Sequence, residues 1–317
     1  MSSKARGLAD LGNAFDDGAL SNRNMIINGA MQVWQRGTSH STSGYGSVDR
    51  WQQFNNTLIS RSTDVPTNEG FQYSSKIDFA GSADSNFQQP IENGIGLTSG
   101  KSVTLSFWAK ATGGITRFEN VFFLNVTNFG IIASPAVSIT NSWQRYTLTV
   151  TVPSYSASQY SDVLQIRFDL DPTESGSYYI TGVQLEVGDT ATPFEHRSYG
   201  DELARCQRYY YQVSNDEQGS AATRYGYGHA ISTTIAKIII PIYARLRTKP
   251  TISYSGTPNL SDATAPFAVT AIAIETVTSS SNTVCLSVNV ASGLTQFRNY
   301  YLEGTNNTSV IKIDAEL

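Results

Sequence analysis

The sequence predicts an all-β chain: an antiparallel sandwich, a short helix and a second small β domain, preceded by an extended N-terminal arm. Three observations predict it. Apolar residues recur with a period of two through most of residues 25–192 and again through 212–317. Gly, Ser, Asn and Pro separate these stretches as turn formers. Near residues 193–211 the alternation stops and helical spacing replaces it.

Residues 1–24 are polar and rich in Gly and Asp, with Leu8, Leu11, Phe15 and Leu20 scattered among them. So little apolar surface cannot build a core. The segment reads either as a docking arm that orders against a partner through Leu8, Leu11 and Phe15, or as an unstructured tail.

The sandwich follows. Over residues 103–110, Val103, Leu105, Phe107 and Ala109 face one way, and Thr104, Ser106, Trp108 and Lys110 face the other. Over 144–152, Tyr146, Leu148, Val150 and Val152 form the apolar face. Residues 164–170 repeat the pattern and 179–185 close the set. Strands with one apolar face need a second apolar layer, which makes an antiparallel sandwich the expected architecture. No repeat of roughly 20–30 residues appears, so a β-helix spike is not expected.

The most specific stretch is the seam over residues 183–210. A last sheet strand reaches Pro193, which prevents its simple continuation. Ser198, three residues before Asp201, then opens a helix in the manner of a capping box. Leu203, Cys206 and Tyr210 are expected on one face of that helix. Beyond it the period of two returns at Ala236/Ile238/Ile240, Ile272/Ile274, Val284/Leu286/Val288/Val290 and Ile311/Ile313. The expected divisions are an arm over 1–24, a jelly-roll domain over 25–192, a helical seam over 193–211 and a C-terminal β domain over 212–317.

Composition narrows the function classes. Charged residues are 15% of the 317, well below the roughly one quarter usual in soluble domains. Such a surface is coated in hydroxyls and amides, which suits β-rich proteins that work outside cells better than a cytosolic enzyme. The 22 basic residues form no run and are outnumbered by 26 acidic ones. Nucleic-acid binding needs a concentrated basic face, so that partner is not expected. Cys206 and Cys285 belong to no spaced cluster and read as small buried hydrophobes. There is no signal-peptide h-region, no apolar run approaches the length of a membrane span, and the Ile-rich stretch 235–242 is too short and contains Lys237 and Pro241. No membrane insertion is expected.

Three groups of residues carry a family resemblance. Asn24-Met25-Ile26-Ile27-Asn28-Gly29-Ala30-Met31-Gln32-Val33-Trp34-Gln35-Arg36-Gly37-Thr38, followed by Val48-Asp49-Arg50-Trp51, resembles the opening strand of jelly rolls in phage fibres. Residues 105–110 and 179–186 are similar to strands of carbohydrate-binding-module sandwiches. The seam and the closing Ile313-Asp314-Ala315-Glu316-Leu317 resemble structural proteins of tailed bacteriophages, whose N-terminal arms look like residues 3–13 here. The resemblance implies a jelly-roll body, a place in the virion after synthesis in the host cytoplasm, contacts with other tail or capsid proteins, and a homotrimer.

Candidate chemistry is sparse. Trp108 faces away from the core layer of Leu105 and Phe107, where it would be either a flat platform for a sugar ring with Lys110 and Ser106 beside it, or a ring covered by the N-terminal arm, a loop or a neighbouring subunit. Trp34 and Trp51 are further glycan candidates, although, like Trp143, they sit where aromatics plug the ends of a sandwich. The 17 tyrosines add amphipathic contact area as a population. Asp169 and Asp171 lie two apart on one side of a strand, but nothing positions them as a glycosidase pair. Glu186 and Asp189 are the candidates for a structural calcium ion. His40, His196 and His229 are scattered, with His196 expected to hydrogen-bond within the seam corner. No catalytic residues, no catalytic metal and no other cofactor are expected.

The expected function is a non-enzymatic virion protein, a tail fibre or receptor-binding protein that attaches by its N-terminal arm and contacts host-surface glycan. Two alternatives stand beside it: a capsid-associated decoration or head-fibre protein, and a polysaccharide-degrading tail protein.

Overall fold

The computed structural model describes residues 23–55, 57–81, 84–127, 130–214, 223–262, 264–305 and 309–317. Leu8, Leu11 and Phe15 lie outside the described residues. The chain is all-β apart from short helical segments, and it divides into two compact units, Met1–Glu202 and Leu203–Leu317.

The first unit begins with β1 (Ser39–His40), β2 (Gly44–Tyr45), β3 (Gln52–Phe54), β4 (Leu58–Ser62), β5 (Ser74–Phe79) and β6 (Asn86–Ile91). A short helix, α1 (Gly94–Thr98), precedes β7 (Ser102–Gly113), β8 (Arg117–Asn125), β9 (Gly130–Ala133) and β10 (Val137–Ser138). The last strands are β11 (Gln144–Thr151), β12 (Leu164–Leu170) and β13 (Gly176–Val187). They form two antiparallel sheets, β1-β4-β5-β13-β7-β11 and β10-β8-β12-β6-β3-β2, with β9 paired to β8.

Aromatic rings bond the two sheets face to face. Phe107 of the first sheet meets Phe168 of the second at 5.0 Å, edge to face, and Phe118 stacks on Tyr178 at 5.0 Å. Phe87, Phe107, Phe118, Phe123 and Phe168 are all fully buried. Burial of each such ring contributes about 1.5–3 kcal/mol to holding the two sheets together. In β13 the register against β7 shifts between Thr181 and Gln184. Gly182 makes that bulge possible: its φ is +60°, and a Cβ there would lie 2.6 Å from Phe71 and 2.9 Å from Trp108.

The opening segment is not the strand that its resemblance implies. Residues 24–36 are irregular and wrap around the side chain of Asn28, which is fully buried at φ 57°. The Asn28 amide donates to the carbonyls of Val33 and Asp49, and its Oδ1 accepts from the backbone of Gln32 and Val33. Left-handed backbone at Asn28 and Met31 interrupts any extended run, and the asparagine side chain supplies the bonds that a partner strand otherwise would.

The helix α2 (Tyr199–Gln207) starts as its sequence predicts. The Ser198 hydroxyl accepts the Asp201 N–H at 3.1 Å and donates to the Asp201 carboxylate at 2.7 Å. Asp201 and Glu202 in the first turn and Arg205 in the last suit the helix dipole. Tyr210 is not on the helix: α2 ends at Gln207, a turn bonds Tyr209 back to Cys206, and Tyr210 begins a strand opposite Asp314.

The second unit comprises β14 (Tyr210–Ser214), β15 (Thr223–Ala230), β16 (Ile235–Ile240), β17 (Thr251–Ser255) and β18 (Pro258–Ser261), followed by β19 (Pro266–Ile274), β20 (Val284–Val290), β21 (Asn299–Gly304) and β22 (Val310–Asp314). Six of these strands close a barrel in the order β15-β16-β20-β19-β18-β21, and β14-β22-β17 form a small sheet. Ile238, Leu286, Val288, Leu302, Ile311 and Ile313 are fully buried in its core.

Candidate functional site

The outward face of the second sheet carries a groove built by strand alternation. On β12, Ile166 and Phe168 point into the core, which leaves Gln165, Arg167 and Asp169 on the other face. The register then assembles rows across four strands. Gln52 lies opposite Gln88, Gln88 opposite Arg167, and Arg167 opposite Phe122. Phe54, Asn86 and Asp169 form a neighbouring row, and Gln165 with Leu124 a third. All of these except Asp169, together with Ile131, line a cleft of about 490 Å³.

Its walls mix amides with apolar rings. The side chains of Gln52, Gln88 and Gln165 make no hydrogen bond among the described residues. Asn86 is 3% exposed, donates to the Asp84 carbonyl at 3.3 Å, and holds its Oδ1 without a partner. Phe54 is 49% exposed at the rim, and Ile131 62%. A primary amide donates and accepts from one planar group, so these four side chains offer donors and acceptors in pairs beside flat apolar surface.

Among the described residues Arg167 is the one charged residue of the lining. Its guanidinium lies 5.3 Å above the Phe122 ring and is held in a fork by Asp169, with Nε to Oδ1 and Nη2 to Oδ2 at 2.9 Å. Burial pushes the Asp169 carboxyl above its ordinary range, and the bonds from Arg167 oppose that shift.

No protein-family model matches the sequence, and no curated protein does. Among solved structures, the chain is similar to an enzymatically active domain of tailspike protein 4 from bacteriophage CBA120, at 21% identity and a TM-score of 0.38, over 52% of this chain and 22% of that one. It is also similar to a module described as CBM4, at 22% identity and a TM-score of 0.37, over 51% and 99%. A third is the CBM22-1 xylan-binding domain from Paenibacillus barcinonensis, at 12% identity and a TM-score of 0.34, over 48% and 94%. At such scores these likenesses assign no ligand to this chain.

The residues singled out in the sequence lie elsewhere. Trp51 is 1% exposed, stacks on Phe87 at 4.6 Å and donates to the Asn28 carbonyl. Trp34 is 8% exposed and donates to the Met31 carbonyl at 2.7 Å. Both are core residues with no face for a ligand, because the folded opening segment draws them inward. Trp108 does face away from Leu105 and Phe107, but it is half-buried where Gly182 and Phe71 approach it. Lys110 is ion-paired with Asp64, which also accepts the Trp143 indole N–H at 2.9 Å. The Lys110 ammonium stands 4.9 Å from the Tyr179 ring. These groups lie on the first sheet, so none reaches the groove.

The other candidates are bound into local structure. Glu186 accepts the backbone and hydroxyl of Thr192 and a Gln184 amide N–H, and pairs with Arg23 at 3.7 Å, whereas Asp189 is exposed. Among the described residues no three His, Cys, Asp or Glu side chains converge on a metal position. Asp171 pairs with Arg117, and the Thr173 hydroxyl and Arg117 hold its carboxyl below the usual range. His196 packs against the rings of Phe71 and Phe194 at 5.1 and 4.9 Å. Cys206 and Cys285 are free and buried.

The groove residues escaped sequence reading because they are Gln and Phe, not Trp. The signal was present in Gln165-Ile166-Arg167-Phe168-Asp169, where an unusually polar outward face accompanies an apolar inward one.

Proposed function

We propose that this protein is a non-enzymatic, glycan-binding virion protein of a tailed phage, a tail fibre or receptor-binding protein whose glycan site is the groove on the second sheet. The observation that carries the glycan reading is the set of amides of Gln52, Gln88, Gln165 and Asn86 with hydrogen-bonding capacity left open beside Phe54 and Phe122. Sugar hydroxyls each donate and accept, and amides match them in both senses. The apolar C–H faces of sugar rings fit flat aromatic surface. A polyol chain lying across the strands would satisfy both.

The virion assignment is supported by the resemblance of the opening and seam residues to tailed-phage proteins. With it come attachment through residues 1–24 to other virion proteins and a homotrimeric state. A binding role is favoured over hydrolysis because the described residues of the lining include no carboxylate, and Asp169 and Asp171 are each tied to their own arginine.

Glycan arrays and affinity electrophoresis with the full chain test the glycan reading. Retention by at least one polysaccharide, reduced in Gln88→Ala and Gln165→Ala variants, is expected; equal retention of folded variants would remove the groove from the reading. Copy number per particle tests location. A few tens of copies or fewer fit a tail protein, and hundreds fit a capsid-associated one.

A further inference from the structure

We propose that Asp169 sets the ligand class of this groove: by neutralising Arg167 it makes the groove select uncharged glycans and reject those bearing uronate, phosphate or sulfate. This rests on the glycan reading above. A lone arginine at the centre of an amide-lined cleft would be an anion site, because its planar fork matches carboxylate and phosphate geometry. Here that fork is already filled. Nε and Nη2 both bond Asp169, two residues along β12 on the same face.

The surrounding charge acts in the same direction. Among the described residues no other cation lines the cleft, and Glu119 and Asp84 add negative potential at Asp169. An acidic polymer entering the groove would meet an arginine whose charge Asp169 already neutralises. A neutral polyol would meet unpartnered amides and the remaining guanidinium N–H groups, which can still donate to hydroxyls.

The test is affinity electrophoresis of the full-length protein in gels containing either neutral polymers (xylan, β-glucan, mannan) or acidic ones (polygalacturonate, hyaluronate, chondroitin sulfate). Wild type should be retained by a neutral polymer, with retention unchanged between low and high salt, and should pass acidic gels freely. Asp169→Asn leaves Arg167 uncompensated and should gain about tenfold in retention by an acidic polymer, a gain that salt abolishes. The double variant Arg167→Gln/Asp169→Asn should lose that gain. Tryptophan fluorescence checks that each variant is folded.

Salt-sensitive retention of wild type by an acidic polymer would overturn the proposal and leave the glycan reading standing, and this arm needs no variant. A folded Asp169→Asn protein with no gain on acidic polymers would overturn it too. Failure of wild type on every polymer of both kinds would instead overturn the glycan reading, and the proposal with it.

Discussion

Glu202 accepts the backbone N–H of Asn28 at 2.5 Å, across 174 positions of sequence. Around that bond the opening segment and the seam are joined at several points. Arg197 donates to the carbonyls of Asn24 and Ile26, Glu195 accepts the Asn24 N–H at 2.9 Å, and the Asn24 amide bonds Val183 and Leu185. The two most distinctive phrases of the sequence are therefore each other's partners. Together these bonds form a clasp that closes the first unit through a buried, directional network.

Asn28→Ala should destabilise the first unit by about 3 kcal/mol or more, because it orphans several buried backbone groups and places alanine at a positive φ. All four tryptophans, at positions 34, 51, 108 and 143, belong to this unit, so their fluorescence follows its unfolding. A lower denaturant midpoint is expected, and an unchanged one would show that the clasp does not hold the fold.

Trp51→Ala should cost about 3–5 kcal/mol by the same measurement, as a fully buried ring lost from a stacked pair. Trp108→Ala should cost less, about 1–2 kcal/mol for a half-buried ring, and should leave polysaccharide retention unchanged. Loss of retention by folded Trp108→Ala would move the ligand site to the first sheet.

Gln88→Ala and Phe54→Ala should each weaken polysaccharide retention on the order of tenfold, the effect of losing one or two hydrogen bonds or one ring contact at about 1.4 kcal/mol. Affinity electrophoresis reads this directly. Fluorescence midpoints should stay near wild type for Phe54→Ala, whose ring is 49% exposed.

In the barrel, the Thr264 hydroxyl and the backbone N–H groups of Thr264 and Ala265 pull the Asp262 carboxyl down to about 2 from 3.8. Folding therefore favours the ionised form. The stabilisation is fully present above pH 3.8 and is lost as pH falls toward 2. Acid unfolding of the barrel, followed by tyrosine near-UV circular dichroism, should lose this part of its pH dependence in Asp262→Asn. An identical acid profile would show that Asp262 does not contribute.

Much of the strand framework was legible in residues such as Val103, Leu105 and Phe107, because an alternating strand with one apolar face is a local pattern with one stable outcome. The helix start at Ser198 and Asp201 was legible for the same reason. The opening residues misled: their apolar content suggests a strand, but Asn28 supplies side-chain bonds that extended backbone would have drawn from a neighbour. Tyr210 misled too, since it fits the helical spacing of Leu203 and Cys206 yet pairs with Asp314, about a hundred positions away.

By itself the sequence determined the all-β class, the period of the main strands and the single helix of the seam, because those follow from contacts within a few residues. Only the tertiary structure decided that Gln52, Gln88, Arg167 and Phe122 stand in one row, that Trp34 and Trp51 are core, and that the second unit closes into a barrel. Strand order and register are settled by how whole sheets pack. A groove made from four strands distant in sequence exists only once that packing is complete.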